Sequence, residues 1–222
     1  KRLIQLGENP KNIFNVGSTS VENIKNLNLH NKKEIEKKLK LKFSKENYLV
    51  TFHPVTFKLD YGVSDFKVLL SYLSKKANST IIFTLPNSDT NNFKIINLIK
   101  KFVRLNKNSK YFSALGKKNY FSVIKNMDAV IGNSSSGYSE VPSFKKPTID
   151  LGTRQKGRIA ATSVINLESV NKKNLKKAFK KINSYKFKKI LFKTRNPYFK
   201  KNTTDNIINI LKKLDLRKTS KK

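Results

Sequence analysis

The chain has 222 residues, 37% of them hydrophobic, enough for a core in one large or two small domains. It has no cysteine and two histidines, His30 and His53, which excludes disulfides, thiolate chemistry and a histidine-based metal cluster and fits a reducing cytoplasm. Its 48 Lys+Arg against 14 Asp+Glu leave a formal charge of +34, and no apolar run is long enough to cross a membrane as a helix.

That charge raises nucleic acid as a partner. The basic residues are overwhelmingly lysine, scattered along the chain among many asparagines and isoleucines. Such a pattern reads as compositional drift on a solvated surface, whereas phosphate readers use clustered arginine. Aromatic and arginine residues do not interleave in a basic stripe, and no recognised nucleic-acid motif occurs, so nucleic acid is not the expected partner.

In chain order, residues 1–10 are amphipathic enough for a helix, with Gly7 near its end and Pro10 beyond it, and carry no signal-peptide pattern. Ile13 to Val16 reads as a short strand ending at Gly17, and Ser18 or Ser20 as the cap of a helix through Val21 to Leu27. Asn31 to Leu39 is a charged surface helix with Ile35 and Leu39 on one face. Tyr48 to Phe52 is a buried strand closed by His53-Pro54.

Val63 to Lys76 has Phe66, Leu69, Leu70 and Leu73 at helical spacing. Thr80 to Thr84 is a strand broken at Pro86-Asn87, and Asn91 to Leu105 a second amphipathic helix. Lys110 to Ala114 is a strand, followed by a loop through Gly116 and a helix near Asn119 to Lys125. Ala129 to Ile131 and Pro147 to Leu151 are strands ending in Gly132 and Gly152, with a helix start between them. Ser163 to Leu167 is a last short strand, and Asn171 to Ile182 and Thr204 to Leu214 are helices.

Strands alternate with helices throughout, which predicts an α/β fold: a Rossmann-like parallel sheet with helices on both faces. In such sheets ligands bind outside the carboxyl ends of the strands. His53, Asn87, Leu115–Gly116, Gly132–Ser135 and Arg154 each follow a predicted strand and therefore gather on one edge. The turn Gly132 to Ser136 before a helix start is suited to an anion, through backbone N–H groups, the helix dipole and the hydroxyls of Ser134 and Ser135. Glu140, six residues after Ser134, is placed for one carboxylate to take two vicinal hydroxyls, as on a ribose. An ordinary serine N-cap with a solvated glutamate explains the same spacing.

The motifs HPVT at His53–Thr56, PNSD at Pro86–Asp89, GNSSSG at Gly132–Gly137, then Glu140 and GTRQKGR at Gly152–Arg158, occur in this order after RLIQLGENP at Arg2–Pro10. Together they resemble the carboxyl-terminal half of the hydrolysing UDP-N-acetylglucosamine 2-epimerases, over essentially the whole chain. The resemblance implies the second domain of a glycosyltransferase-B-like architecture. Residues 1–18 would be a linker or helix from a preceding domain, 19–214 the UDP-binding domain and 215–222 a disordered basic tail.

The resemblance also implies roles. Ser134 and Ser135 would hold the diphosphate and Glu140 the ribose. His53 would stand near the phosphates as a hydrogen-bond donor or cation for the departing UDP, and Asn87 on the sugar or phosphate side. Leu115, Gly116 and Tyr120 would form the uracil slot. Arg154 would pair with a phosphate or with a carboxylate that positions the site, and Arg158 would be structural. The implied reaction, in sialic-acid-type sugar biosynthesis, is loss of UDP from UDP-N-acetylglucosamine with proton abstraction at C2, then water addition to give N-acetylmannosamine. It needs no metal, redox group or other cofactor. The main acid/base carboxylates would come from an amino-terminal half that is the expected partner. A non-catalytic UDP-sugar-binding module is the alternative, with a basic nucleic-acid-binding protein behind it; homo-oligomerisation is left open by the residues.

Overall fold

A computed structural model describes residues 2–214. The elements in order are α1 (Arg2–Gln5), α2 (Thr19–Asn26), α3 (Lys32–Leu39), β1 (Glu46–Thr51), α4 (Val63–Leu73), β2 (Ser79–Thr84), α5 (Asn92–Leu105), β3 (Ser109–Phe112), α6 (Lys117–Asn126), β4 (Ala129–Gly132), α7 (Ser136–Ser139), β5 (Thr148–Leu151), β6 (Val164–Leu167), α8 (Lys172–Ile182), α9 (Tyr185–Lys193) and α10 (Thr203–Lys213). Short 3-10 turns cover Pro10–Asn12 and Val141–Phe144. The chain divides into two compact units. One is Leu27–Pro197, and the other combines residues 2–26 with 198–214. α10 thus falls in the same unit as the amino-terminal segment. The expected tail, 215–222, lies outside the described residues.

Six strands in the first unit form one sheet in the order β3-β2-β1-β4-β5-β6, every pair parallel. The parallel Rossmann-like fold is therefore present. β1 and β2 are buried on both faces, which is why they read as continuous apolar runs rather than alternating ones. On one face Tyr48, Val50 and Phe52 meet Phe66 and Leu69 of α4 and Phe179 of α8. On the other, α3 packs against α6, burying Ile35, Leu39, Val123 and Ile124. α3 begins in a capping box, where the Asn31 side chain accepts from Glu34 N–H and the Glu34 side chain accepts from Asn31 N–H.

Three local expectations change. Ile13 to Val16 is not a strand. The carbonyls of Asn15 and Val16 accept instead from Lys200 Nζ and Thr203 Oγ1, so side chains of the α10 region take the place of a partner strand. The helix after Ser135 is a single four-residue turn followed by a 3-10 turn, because Pro142 has no N–H to continue the ladder. Finally, Tyr185–Lys193 forms a helix not among the expected elements, although Phe187, Ile190 and Leu191 stand at helical spacing; it is capped by Ser184 Oγ accepting from Phe187 N–H.

Candidate functional site

The sheet order reverses between β1 and β4, since the chain winds outward from β1 to β3 and then returns to continue from β4 to β6. At such a switch point the loops leaving the two central strands run in opposite directions and a crevice opens. A cavity of about 380 Å³ lies there, lined by eight of the nine expected residues: His53, Asn87, Leu115, Gly116, Tyr120, Ser134, Ser135 and Glu140. Arg154 falls in a neighbouring cleft of about 600 Å³, with Lys58, Asp89, Lys156 and Arg158.

Two residues hold β1 and β4 together at this edge. Gly132 sits at φ +138°, and a Cβ on it would lie 1.9 Å from the Thr51 carbonyl oxygen. The next residue, Asn133, is fully buried and donates its N–H to that same oxygen at 3.1 Å. Its side chain then clamps the backbone of His53. Oδ1 accepts from His53 N–H at 2.7 Å, and Nδ2 donates to the His53 carbonyl at 2.8 Å. The Asn133 carbonyl in turn accepts from Gln155 Nε2 at 2.8 Å and Arg154 Nη1 at 3.2 Å. One asparagine thereby ties the loops after β1, β4 and β5. Arg154 meets the site through this bond to the main chain.

The position of His53 settles its chemistry. Its Nδ1 accepts from Asn87 N–H at 3.2 Å, so the neutral ring carries its proton on Nε2. Burial, with the Arg154 guanidinium adding to it and Asp89 opposing, lowers its pKa from 6.5 to about 4. His53 is thus neutral near neutral pH in the ligand-free chain, with its Nε2–H as the donor. The folded pKa lies below the unfolded one, so stability is complete above about pH 6.5 and is lost as pH falls toward 4. By about pH 5 the folded chain should lose on the order of 2 kcal/mol relative to His53→Asn, which has no such titration. Urea unfolding of both proteins across this range checks it; parallel curves would sink it.

The serine turn supplies donors. Among the described residues, no acceptor takes the N–H of Ser134 or Ser135. With α7 only four residues long, these individual N–H groups matter more than a helix dipole. Ser134 Oγ accepts weakly from Ser136 N–H at 3.4 Å. Below the turn, Tyr138 OH donates to Asp150 of β5 at 2.8 Å and Thr148 Oγ1 donates to the Gly137 carbonyl at 2.9 Å, anchoring it to the sheet. Glu140 follows α7 rather than lying within it, with its carboxylate accepting from Ser139 Oγ.

On the opposite wall, Gly116 at φ +70°, ψ 154° lets the chain turn into α6, a conformation open essentially to glycine alone. The Leu115 carbonyl accepts from Asn119 Nδ2 at 3.0 Å and that of Gly116 from Tyr120 N–H at 2.9 Å, so apolar surface is what Leu115 chiefly offers the cavity. Tyr120 OH donates to Ser136 Oγ at 2.9 Å, and burial raises its pKa. Thr51 and Thr84 hydroxyls bond to one another at the floor. Thr51 and Thr84 escape a reading by local motif, while Asn133 and Ser136 lie inside GNSSSG with no signal of the partners their side chains take. Among the described residues no group of His, Cys, Asp or Glu could hold a metal ion, and no helix is long and apolar enough to cross a membrane.

Residues 1–212 match the family model described as UDP-N-acetylglucosamine 2-epimerase. The chain is 43% identical over 189 residues to the GDP/UDP-N,N'-diacetylbacillosamine 2-epimerase (hydrolyzing) of Campylobacter jejuni, covering 85% of this chain and 48% of that protein. It is 38% identical over 216 residues to the polysialic acid biosynthesis protein P7 of Escherichia coli, covering 96% and 54%. The chain thus spans about half the length of the curated relatives it matches. Among solved structures, the S. aureus MnaA–UDP co-structure superposes with a TM-score of 0.72 at 19% identity, covering 95% of this chain and 55% of that one. The carboxyl-terminal domain of the group 1 glycosyltransferase LpcC from Francisella tularensis superposes at 0.52 with 16% identity, covering 76% and 90%. These two likenesses concern the fold, and place it beside glycosyltransferase domains. With a family match along nearly its whole length and relatives at this identity, the chain belongs to the UDP-N-acetylglucosamine 2-epimerase family, on its hydrolysing side.

Proposed function

We propose that this chain is the UDP-binding part of a hydrolysing UDP-sugar 2-epimerase acting in the cytoplasm. One observation carries the reading: at the switch point, a single cavity joins two acceptor-free serine N–H groups, a neutral histidine donor and a carboxylate. The diphosphate lies over Ser134 and Ser135, where preorganised donors face its charge. Glu140 takes the two ribose hydroxyls, and the uracil rests against Leu115, Gly116 and Tyr120. Asn87 faces the sugar–phosphate side, and Arg154 adds positive potential from the adjoining cleft.

As the sugar C1–O bond breaks, negative charge grows on the departing phosphate. The Nε2–H of His53 donates to it without first having to lose or gain a proton. The carboxylates that take the C2 proton and guide water addition belong to the part of the relatives that this chain does not match. The sugar is an N-acetylated amino sugar, the class to which the diacetylbacillosamine in the Campylobacter jejuni relative's name belongs. Among the described cavity-lining residues Glu140 is the one carboxylate, which favours, as a second reading, a UDP-sugar-binding module without catalysis. Adding the partner half and assaying UDP release separates the two.

Calorimetric titration with UDP, CMP and a short single-stranded DNA at moderate salt is the direct test. UDP should bind selectively. Ser134→Ala should weaken it by about tenfold, the loss of one hydroxyl donor to a charged group, and Glu140→Ala by about tenfold or more, the loss of a carboxylate that takes two hydroxyls. No heat with UDP, beside DNA binding that fades with salt, would leave only common ancestry.

A further inference from the structure

The most uneven charge distribution lies away from the cavity, on α8 and α9. Between Ser169 and Pro197 the sequence has eleven Lys+Arg and no Asp or Glu. All eleven are exposed, six of them on α8: Lys172, Lys173, Lys176, Lys177, Lys180 and Lys181. Among the described residues, none has a carboxylate within ion-pair distance. Their charge is uncompensated, unlike that of α3, whose lysines alternate with Glu34 and Glu36.

α9 adds a feature that compositional drift does not explain. Tyr185 and Phe192 are 74% and 76% exposed, although each is a ring large enough to reward burial. Seven residues apart, they fall on one helical line, with Lys188 and Lys189 between them on the same side. Lys189 Nζ stands 4.5 Å from the Tyr185 ring centroid and Lys145 Nζ 4.6 Å from that of Phe192. Folding therefore brings these two rings and their lysines onto one exposed line.

From this face we propose that α8 and α9 dock the protein on an anionic lipid bilayer. The lysines lie against the headgroup layer and the Tyr185 and Phe192 rings enter it. Lysine point charges suit a diffuse anionic surface. A nucleic-acid phosphate track favours arginine forks, and only Arg195 is present here. Exposed Phe and Tyr flanked by lysine are the side chains that settle at the boundary of headgroups and acyl chains. None of these residues lines the cavity, so docking leaves it untouched.

The test is co-sedimentation of the full chain with vesicles of phosphatidylcholine alone, or with about one third phosphatidylglycerol. The chain should sediment only with the second, at an affinity that falls about tenfold or more between about 0.1 M and 0.5 M salt. Tyr185→Ser with Phe192→Ser should weaken vesicle binding at least about fivefold while leaving retention on heparin unchanged. Glu in place of Lys173, Lys176 and Lys180 should abolish both. Circular dichroism and UDP titration, unaltered in each variant, show that the fold survives. Absence of vesicle binding would overturn the proposal. So would vesicle binding indifferent to the ring substitutions, or retention on heparin and DNA alone, which would assign the face to a soluble polyanion.

Discussion

Gly132→Ala should abolish the folded state of the Leu27–Pro197 unit. A methyl group placed 1.9 Å from the Thr51 carbonyl oxygen meets backbone, which cannot rotate aside, and φ of +138° is itself closed to alanine. Relief requires parting β1 from β4 at the centre of the sheet. The expected loss exceeds about 4 kcal/mol, a large share of what a domain of this size has to spare. Gly116→Ala is the control: it also has positive φ but nothing within 4 Å, so strain of about 1–3 kcal/mol is all it meets. Thermal melts of both variants decide the matter. A Gly132→Ala protein that unfolds cooperatively within about 2 °C of the parent would contradict the close approach.

Asn133→Ala should lower stability by about 2–4 kcal/mol, from two buried backbone groups of His53 left without partners. It should also remove UDP binding, because among the described residues this side chain makes the two hydrogen bonds that fix the His53 backbone to the serine turn. Asn133→Asp is the sharper variant. It keeps the acceptor for His53 N–H but turns the donor that faces the His53 carbonyl into a buried anion, so it should be at least as damaging near neutral pH. Chemical unfolding gives the stability, and UDP calorimetry the coupling. A variant with parental UDP affinity would show that the loop is held by other means.

Much of this was readable from local signals. Local signals marked all six strands of the sheet within about two residues; in β1, β2, β4 and β5 these are apolar runs, because burial on both faces suppresses alternation, whereas the edge strands β3 and β6 are partly exposed. Every candidate residue after a strand end was led to the same edge by the rule that parallel strands point one way. The failures share a cause. Ile13 to Val16 has strand composition, but a strand needs a neighbour, and side chains from residues nearly 190 positions later take its carbonyls. The helix after Ser135 has a plausible start, and a proline six residues after it stops it.

What the sequence by itself determined, then, is the alternation of elements, the motif order and the family. Those rest on interactions reaching a few residues along the chain: turn chemistry, caps and hydrophobic period. The tertiary structure alone decided the strand order 3-2-1-4-5-6, and with it the crevice between β1 and β4. It decided that His53 is a neutral Nε2–H donor, because that depends on burial, Asn87 N–H and Arg154 together. It also made Asn133 the tie between three loops and aligned the rings and lysines of α9. Each of these joins groups far apart in sequence, and a linear pattern carries no record of which distant partner will satisfy a buried polar atom.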